Sequence, residues 1–429
     1  MVYKDIPNSV ESFMVEITKK CGTHHAAWAE NFNAGFANTL LTTVKRHADG
    51  TTFLLTGDIP AMWLRDSTAQ VRPYLVLAKE DEDLGNMICG LIRKQFFYIN
   101  IDPYANAFNE EANGAGHQKD HTTMNDWIWE RKYEIDSLCY PVQLAYLFYK
   151  NTGRTDHFDE TFKNGVRKII KVFKTEQNHQ QSSYSFVRET TRFEDTLVND
   201  GKGAEVVQTG LTWSGFRPSD DACIYGYLIP SNMFAVVILE YIEELFLSVV
   251  KDEALAKEAE SLRKQIQAGI EQHGIIANKA GEEVYAYEVD GQGNAVLMDD
   301  SNVPNLLSAP YLGYGTNEER IYQQTRKTLL SKENPYFYEG KYAKGIGSSH
   351  TPKSYIWPIA LAMEGLTASD KKEKERILDL LTATDAGTKM MHEGFDVNDP
   401  NQYTREWFSW ANMMFCELVM DYFDIRVKK

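Results

Sequence analysis

Helical periodicity arranged in neighbouring pairs constrains this chain more than any other feature. Phe234, Val237, Tyr241, Leu245 and Val249 fall on one helical face at steps of three and four. A polar turn, Lys251-Asp252-Glu253, separates them from Leu255, Ala259, Leu262, Ile266 and Ile270, which repeat the pattern. Two amphipathic helices joined by so short a turn make a helical hairpin. The same reading gives pairs at 8–21 with 27–47, 67–79 with 82–99, 134–150 with 156–174, 301–309 with 317–331, and 353–366 with 370–382. A last helix is expected over 404–423.

An all-α class follows. Hairpins in series suggest an (α/α)6 barrel, in which inner helices form the core and loops build a cleft at one mouth. Four long stretches rich in Gly, Asn and Asp, 101–130, 180–227, 333–350 and 384–403, are those loops. Loops of that length are uncommon unless they carry function. A small β-hairpin is expected where Tyr285, Tyr287 and Val289 alternate up to "DGQGN" and the chain returns through Ala295–Met298. No low-complexity linker divides the chain, so residues 1–429 are read as one catalytic domain.

Composition limits the partners. The 429 residues carry 61 acidic against 45 basic side chains, a formal net charge of −16. That argues against a nucleic-acid partner, because phosphate contacts need a basic face, and against an anionic membrane surface. Five cysteines without a CxxC pair predict reduced, mostly buried thiols and no structural zinc. The N-terminal residues lack an apolar signal-peptide core. The longest apolar run, "MFAVVIL" at 233–239, is far short of the ~18 residues that span a bilayer. A cytoplasmic protein is the expectation.

The loops hold carboxylates beside aromatic rings. "TGDIPAMWLRDSTAQ" (56–70) places Trp63, Arg65 and Asp66 just ahead of Ser67-Thr68-Ala69-Gln70, which reads as a helix capping box. An Arg-Asp pair beside a Trp can hold sugar hydroxyls over a ring, or be a plain surface salt bridge. "MNDWIWERKYEIDSLCYP" (124–141) supplies Asn125, Asp126, Trp127 and Glu130, which a charged helix start would also explain. "GFRPSDDACIYGYLIPSN" (215–232) sets Asp220 against Asp221, either a cap or a proton donor. Asp299 and Asp300 in "MDDSNVPNLLS" suit a helix N-terminus equally well. His350 and Trp357 stand in "GIGSSHTPKSYIWP". Glu393 precedes Gly394 on an approach that reads as an Asp399-Pro400 turn, with Thr404 capping the last helix. No P-loop, HExxH or GxSxG occurs. Carboxylates plus aromatics are the raw material of glycoside cleavage, with the acid pair left open by residue types alone.

"TGDIPAMWLRDSTAQVRPY", "NDWIWERKYEIDSL", "GFRPSDDACIYGYLIPSN", "MDDSNVPNLLS" and the stretch from Glu393 to Asn412 together resemble glycoside hydrolase family 125, in the same order, over about residues 25–425. The resemblance implies an (α/α)6 barrel, exo-action on α-1,6-linked mannose of N-glycan or mannan fragments, inversion at the anomeric carbon, and no metal or cofactor. Carried over by motif, Asp220 is the general acid and Glu393 the general base. Trp63, Arg65, Asp66, Asn125, Asp126, Trp127, Glu130, Asp299, Asp300, His350 and Trp357 become candidate substrate contacts. Two rivals stand beside this reading. A sugar epimerase of the same barrel would use histidines as acid and base, whereas these loops are rich in carboxylates. A non-catalytic mannoside-binding protein would hold mannobiose without releasing mannose.

Overall fold

The computed structural model describes residues 3–429. They group into two compact units: unit 1 is Met1–Lys94, Leu147–Arg154 and Tyr336–Lys429, and unit 2 is Gln95–Tyr146 and Thr155–Pro335. In chain order the α-helices are α1 (Asn8–Cys21), α2 (Ala26–Thr42), α3 (Leu64–Val71), α4 (Glu82–Ile101), α5 (Ile135–Thr152), α6 (Glu160–Glu176) and α7 (Val198–Gly201). There follow α8 (Ile229–Leu245), α9 (Glu253–His273), α10 (Ala309–Leu312), α11 (Arg320–Leu329), α12 (Pro358–Leu366), α13 (Lys371–Ala383) and α14 (Ser409–Tyr422). The chain is all-α, with antiparallel strand pairs confined to short pieces of the loops.

Each unit is built around an enclosed helix. In unit 1, α14 is buried from Ser409 to Met420 and packs on α2, α3, α12 and α13. In unit 2, α8 is buried from Ile229 to Leu239 and packs against α9 and α10, while α9 also meets α6. A helix that is apolar all round has no face to give to water and must be enclosed. Against α8, α9 buries a single stripe of Leu255, Ala259, Leu262, Ile266 and Ile270. The π-turn Phe246–Val250 and the left-handed Lys251 end the first helix of this hairpin. Asp252 starts the second by accepting the Leu255 N–H at 3.1 Å.

The helix pairs read from the sequence are present, with one exception, and several local signals gave way to tertiary pairing. The stretch 301–309 is not helical, and only Ala309–Leu312 is. Asp299, Asp300 and Asn305 bond nearby backbone N–H groups there. Such bonds compete with helix hydrogen bonds, and Pro304 disfavours helical backbone before it. The capping box is also wrong: α3 already begins at Leu64. Ser67 Oγ instead donates back to the Leu64 carbonyl, and Gln70 Nε2 donates to Leu55 O. Thr404 does not cap the last helix, which starts after Phe408; it pairs with Gly394 in a sheet. Asp399-Pro400 opens the strand Asp399–Thr404, and the reversal lies at Val397-Asn398. Asp396 Oδ1 accepts the Asn398 N–H across that reversal at 2.7 Å. The expected hairpin forms only over 288–296, with Val289 opposite Ala295, whereas Tyr285 lies in a separate strand, Glu283–Tyr285, paired with Ile275–Ala277.

Among the described residues no helix is long and apolar enough to cross a membrane. All five cysteines are thiols, four of them buried. Asp252→Ala should remove the α9 cap at a cost of about 1 kcal/mol. A urea titration should then show a lower midpoint at unchanged slope.

Candidate active site

In unit 2 the loop between Trp213 and Tyr227 is tied at both ends before it exposes anything. Ser214 N–H donates to Gly226 O, Gly215 and Phe216 N–H groups donate to Tyr133 O, and Cys223 N–H donates to Gly215 O. The central tie is a buried ion pair. Arg217 Nε donates to Glu288 Oε1 at 2.6 Å, with Arg217 3% exposed and Glu288 0%. The other oxygen of Glu288 accepts the N–H groups of Ile224 and Tyr225 at 2.8 and 2.9 Å. One carboxylate therefore holds the loop on both sides of its tip. Burial alone would lower the Arg217 pKa, but the Glu288 charge outweighs it and keeps the guanidinium charged.

At the tip, Asp220 is half-buried and Asp221 fully buried. Arg217 N–H donates to Asp221 O, and Asp220 N–H donates to Arg217 O. This tight reversal puts Asp220 in the left-handed region, φ +64°, which Asp tolerates better than most residues. Asn106 Nδ2 donates to Asp220 Oδ1 at 3.3 Å and to Glu130 Oε2 at 3.0 Å. Lys132 Nζ donates to the Asp220 carbonyl at 2.7 Å, lies 3.7 Å from Glu130 and reaches Asp195 at 3.2 Å. Arg188 bonds Asp120 through two nitrogens and Glu130 at 2.8 Å. Burial would raise the Glu130 pKa and the Asp220 charge adds to that, yet Lys132 and Arg188 win and hold it below the ordinary carboxylate range. Asp221 accepts from Arg192 at 3.2 Å.

The other candidates of unit 2 are divided. Glu130 joins Asp220 in the network just described. Asn125 and Asp126 are exposed, and Asn125 Oδ1 accepts the Trp127 N–H within its own turn. Trp127 packs edge-on against Phe97, 5.1 Å between centroids. Asp299 is fully buried and accepts the N–H groups of Leu306 and Leu307 at 2.9 and 3.1 Å. Burial pushes its pKa well above the usual carboxylate range, against the pull of those two bonds. Asp300 accepts from Asn302 N and Nδ2. Both aspartates therefore shape a turn, although both lie near Tyr287, whose ring carries Arg217 at 5.5 Å.

In unit 1, Glu393 directly precedes the middle strand of a three-stranded sheet, Gly394–Asp396, flanked by Tyr355–Ile356 and Asp399–Thr404. It is 6% exposed, and its N–H donates to Thr404 O. A Cβ at Gly394 would lie 3.2 Å from the Trp357 ring, a tight contact. Trp357 Nε1 donates to Thr351 at 2.8 Å, and His350 stands edge-on to its ring at 6.4 Å. Arg405 Nη1 donates to Glu393 at 3.4 Å while its Nε bonds Asp58 at 3.1 Å. Burial would lower the Arg405 pKa; Asp58, Glu393 and Asp66 together raise it. Arg65 and Asp66 are buried, 3.5 Å apart, with the Arg65 guanidinium over the Trp410 ring at 5.7 Å. The surface-salt-bridge alternative for that pair is thus excluded. Trp63, 6% exposed, leads into α3.

Sequence reasoning missed Asn106, Lys132, Arg188, Arg217, Glu288, Asp58 and Arg405. Arg217, Lys132 and Arg405 sit inside motifs already quoted, where a cation among loop carboxylates was the available signal. Glu288 gives no local sign of its role.

Glu288→Ala should leave the Arg217 charge buried without its partner and cost about 3–5 kcal/mol. The double change Arg217→Met with Glu288→Leu should recover much of that loss, since removing both charges is cheaper than removing one. Thermal unfolding of the three proteins tests the ranking, and a double variant less stable than Glu288→Ala would contradict it.

Known proteins extend this picture. The profile of the metal-independent α-mannosidases, glycoside hydrolase family 125, matches residues 25–420. The chain is similar to a solved Streptococcus pneumoniae metal-independent α-mannosidase in a non-productive complex with α-1,6-mannobiose. That likeness has TM-score 0.97 and 55% identity, covering 99% of this chain and 100% of the other. It is 38% identical over 416 residues to the meiotically up-regulated gene 157 protein of Schizosaccharomyces pombe, covering 92% of this chain and 82% of the relative. A bacterial glucoamylase complexed with acarbose shares the fold alone, at TM-score 0.61 and 11% identity over 97% of this chain and 58% of that one. The chain belongs to glycoside hydrolase family 125, the metal-independent α-mannosidases.

Proposed function

We propose that this α-mannosidase removes non-reducing terminal α-1,6-linked mannose with inversion, Asp220 serving as general acid and Glu393 as general base. The observation that carries the linkage is the end-to-end similarity to the pneumococcal α-mannosidase, whose complex contains α-1,6-mannobiose. The roles rest on the motifs quoted above and on the surroundings of the two carboxyl groups. Asp220 stands at a loop tip fixed by Glu288, half-buried, with an amide on one oxygen. It delivers a proton to the glycosidic oxygen as the bond to the anomeric carbon breaks. Glu393 takes a proton from water, and that water attacks the anomeric carbon from the opposite face. Proton and hydroxide are supplied together, so no covalent glycosyl-enzyme forms.

Trp63, Arg65, Asp66, His350, Trp357 and Glu130 are the proposed sugar contacts, whereas Asp299, Asp300 and Asn125 act mainly by shaping their turns. Residues 1–429 work as one (α/α)6 catalytic domain on oligosaccharides of N-glycan or mannan type. The five thiols suit a cytoplasmic setting.

Asp220→Asn should reduce kcat on α-1,6-mannobiose by at least about 10²-fold, the usual worth of a positioned acid. An activated aryl α-mannoside, whose leaving group needs little protonation, should suffer much less. Equal losses on both substrates would take Asp220 out of the acid's role. The stereochemistry is a separate check. Proton NMR of the first product should show β-mannose before mutarotation mixes the anomers. Initial α-mannose would make the second carboxylate a nucleophile and end the inverting assignment.

A further inference from the structure

Unit 2 carries an open depression of about 420 Å³ on the far half of α8. That volume lies within the ~300–1,000 Å³ of small-molecule sites. Val237 and Glu240, which line it, lie roughly 12–16 Å along α8 from Ile229, at 1.5 Å per residue, whereas the Asp220 loop feeds the start of that helix. Ile270 of α9 and Val237 give an apolar floor. Tyr285 and Tyr314 form an aromatic corner, their rings 6.4 Å apart and inclined at 74°.

The corner is built rather than accidental. Gly313 and Gly315 flank Tyr314 with φ of +111° and +66°. A Cβ on Gly315 would come within 2.8 Å of a Glu319 carboxylate oxygen. The same carboxylate accepts the Thr316 N–H at 3.0 Å, so it fixes the loop that presents the ring. The rim is polar. Gln267 Nε2 donates to Glu271 at 2.6 Å, and Arg263 is held by Glu243 at 3.0 Å. Burial pushes the Tyr285 hydroxyl up to about 12, with the Glu319 and Glu271 charges adding to it, so it stays a neutral donor.

These groups select for chemistry. Glu240, Glu271 and Glu319 repel an anion, and the Arg263 guanidinium, held by Glu243, does little to offset them. A neutral polyol avoids that repulsion. Its C–H face packs on rings and aliphatic carbons, and its hydroxyls donate to carboxylates. We propose that this depression is a non-catalytic binding site for one hexopyranose unit of an oligomannoside. The proposal rests on the mannoside reading above.

The test uses the whole protein and sulfur-linked α-1,6-mannobiose, which resists hydrolysis. Equilibrium dialysis should find two equivalents bound per chain, and one in Tyr314→Ala. Gln267→Ala should weaken the second site on its own, which guards against a misfolded Tyr314 variant. Tyr314→Ala should also raise KM for a longer α-1,6-oligomannoside by about fivefold, with KM and kcat for an aryl mannoside unchanged. A stoichiometry of one in the unaltered protein would overturn the site while leaving the hydrolase reading intact. Retention of two equivalents in both variants would overturn it as well, as would saturation by spermidine in preference to the sugar. Absence of any mannoside binding or cleavage would instead fall on the mannosidase reading itself.

Discussion

The buried Arg217–Glu288 pair is the constraint on which the Asp220 loop depends. Taking two charges out of water costs several kcal/mol per ion, and their attraction repays it only when the remaining hydrogen-bonding capacity is also used. Glu288 meets that condition, with Arg217 on one oxygen and two backbone N–H groups on the other. Its own position is fixed because it lies on the central strand of a three-stranded sheet, opposite Leu228 on one side and Val296 on the other. Leu228 in turn leads directly into α8, the enclosed helix of its unit. Core helix, short strand, carboxylate and loop therefore form a continuous chain of support. At its end Asp220 keeps a left-handed backbone that would cost about a kcal/mol or more in a free loop.

Unit 1 secures its carboxylate in another way. Glu393 is held by the ladder between Gly394 and Thr404, so its direction follows the sheet. Arg405 is shared between Glu393 and Asp58, and the stronger contacts go to Asp58. A guanidinium bound elsewhere neutralises part of the field around Glu393 without occupying both its oxygens. The close approach of Trp357 to Gly394 locks the neighbouring aromatic wall to the same strand. Asp220 is thus placed by a buried charge pair and Glu393 by backbone pairing.

What could be read from the sequence follows from the range of each interaction. Helix pairs are written in steps of three and four, and they survive because the apolar stripe that signals them is the surface they bury, as in α9. Caps and turns are written in three or four residues, and there the reading failed when a distant segment competed. Thr404 looked like a cap but is claimed by Gly394, and Ser67 looked like one but lies inside a helix that starts earlier. The candidate acid and base came from motif resemblance, and the motifs also contained Lys132, Arg217 and Arg405 without revealing what those cations hold. Arg217 and Glu288 are 71 residues apart, and nothing near Glu288 distinguishes it from the chain's other carboxylates. The residue that ties down the Asp220 loop was therefore the least visible one. Its effect exists only after α8 and its adjoining strands have brought the two segments together.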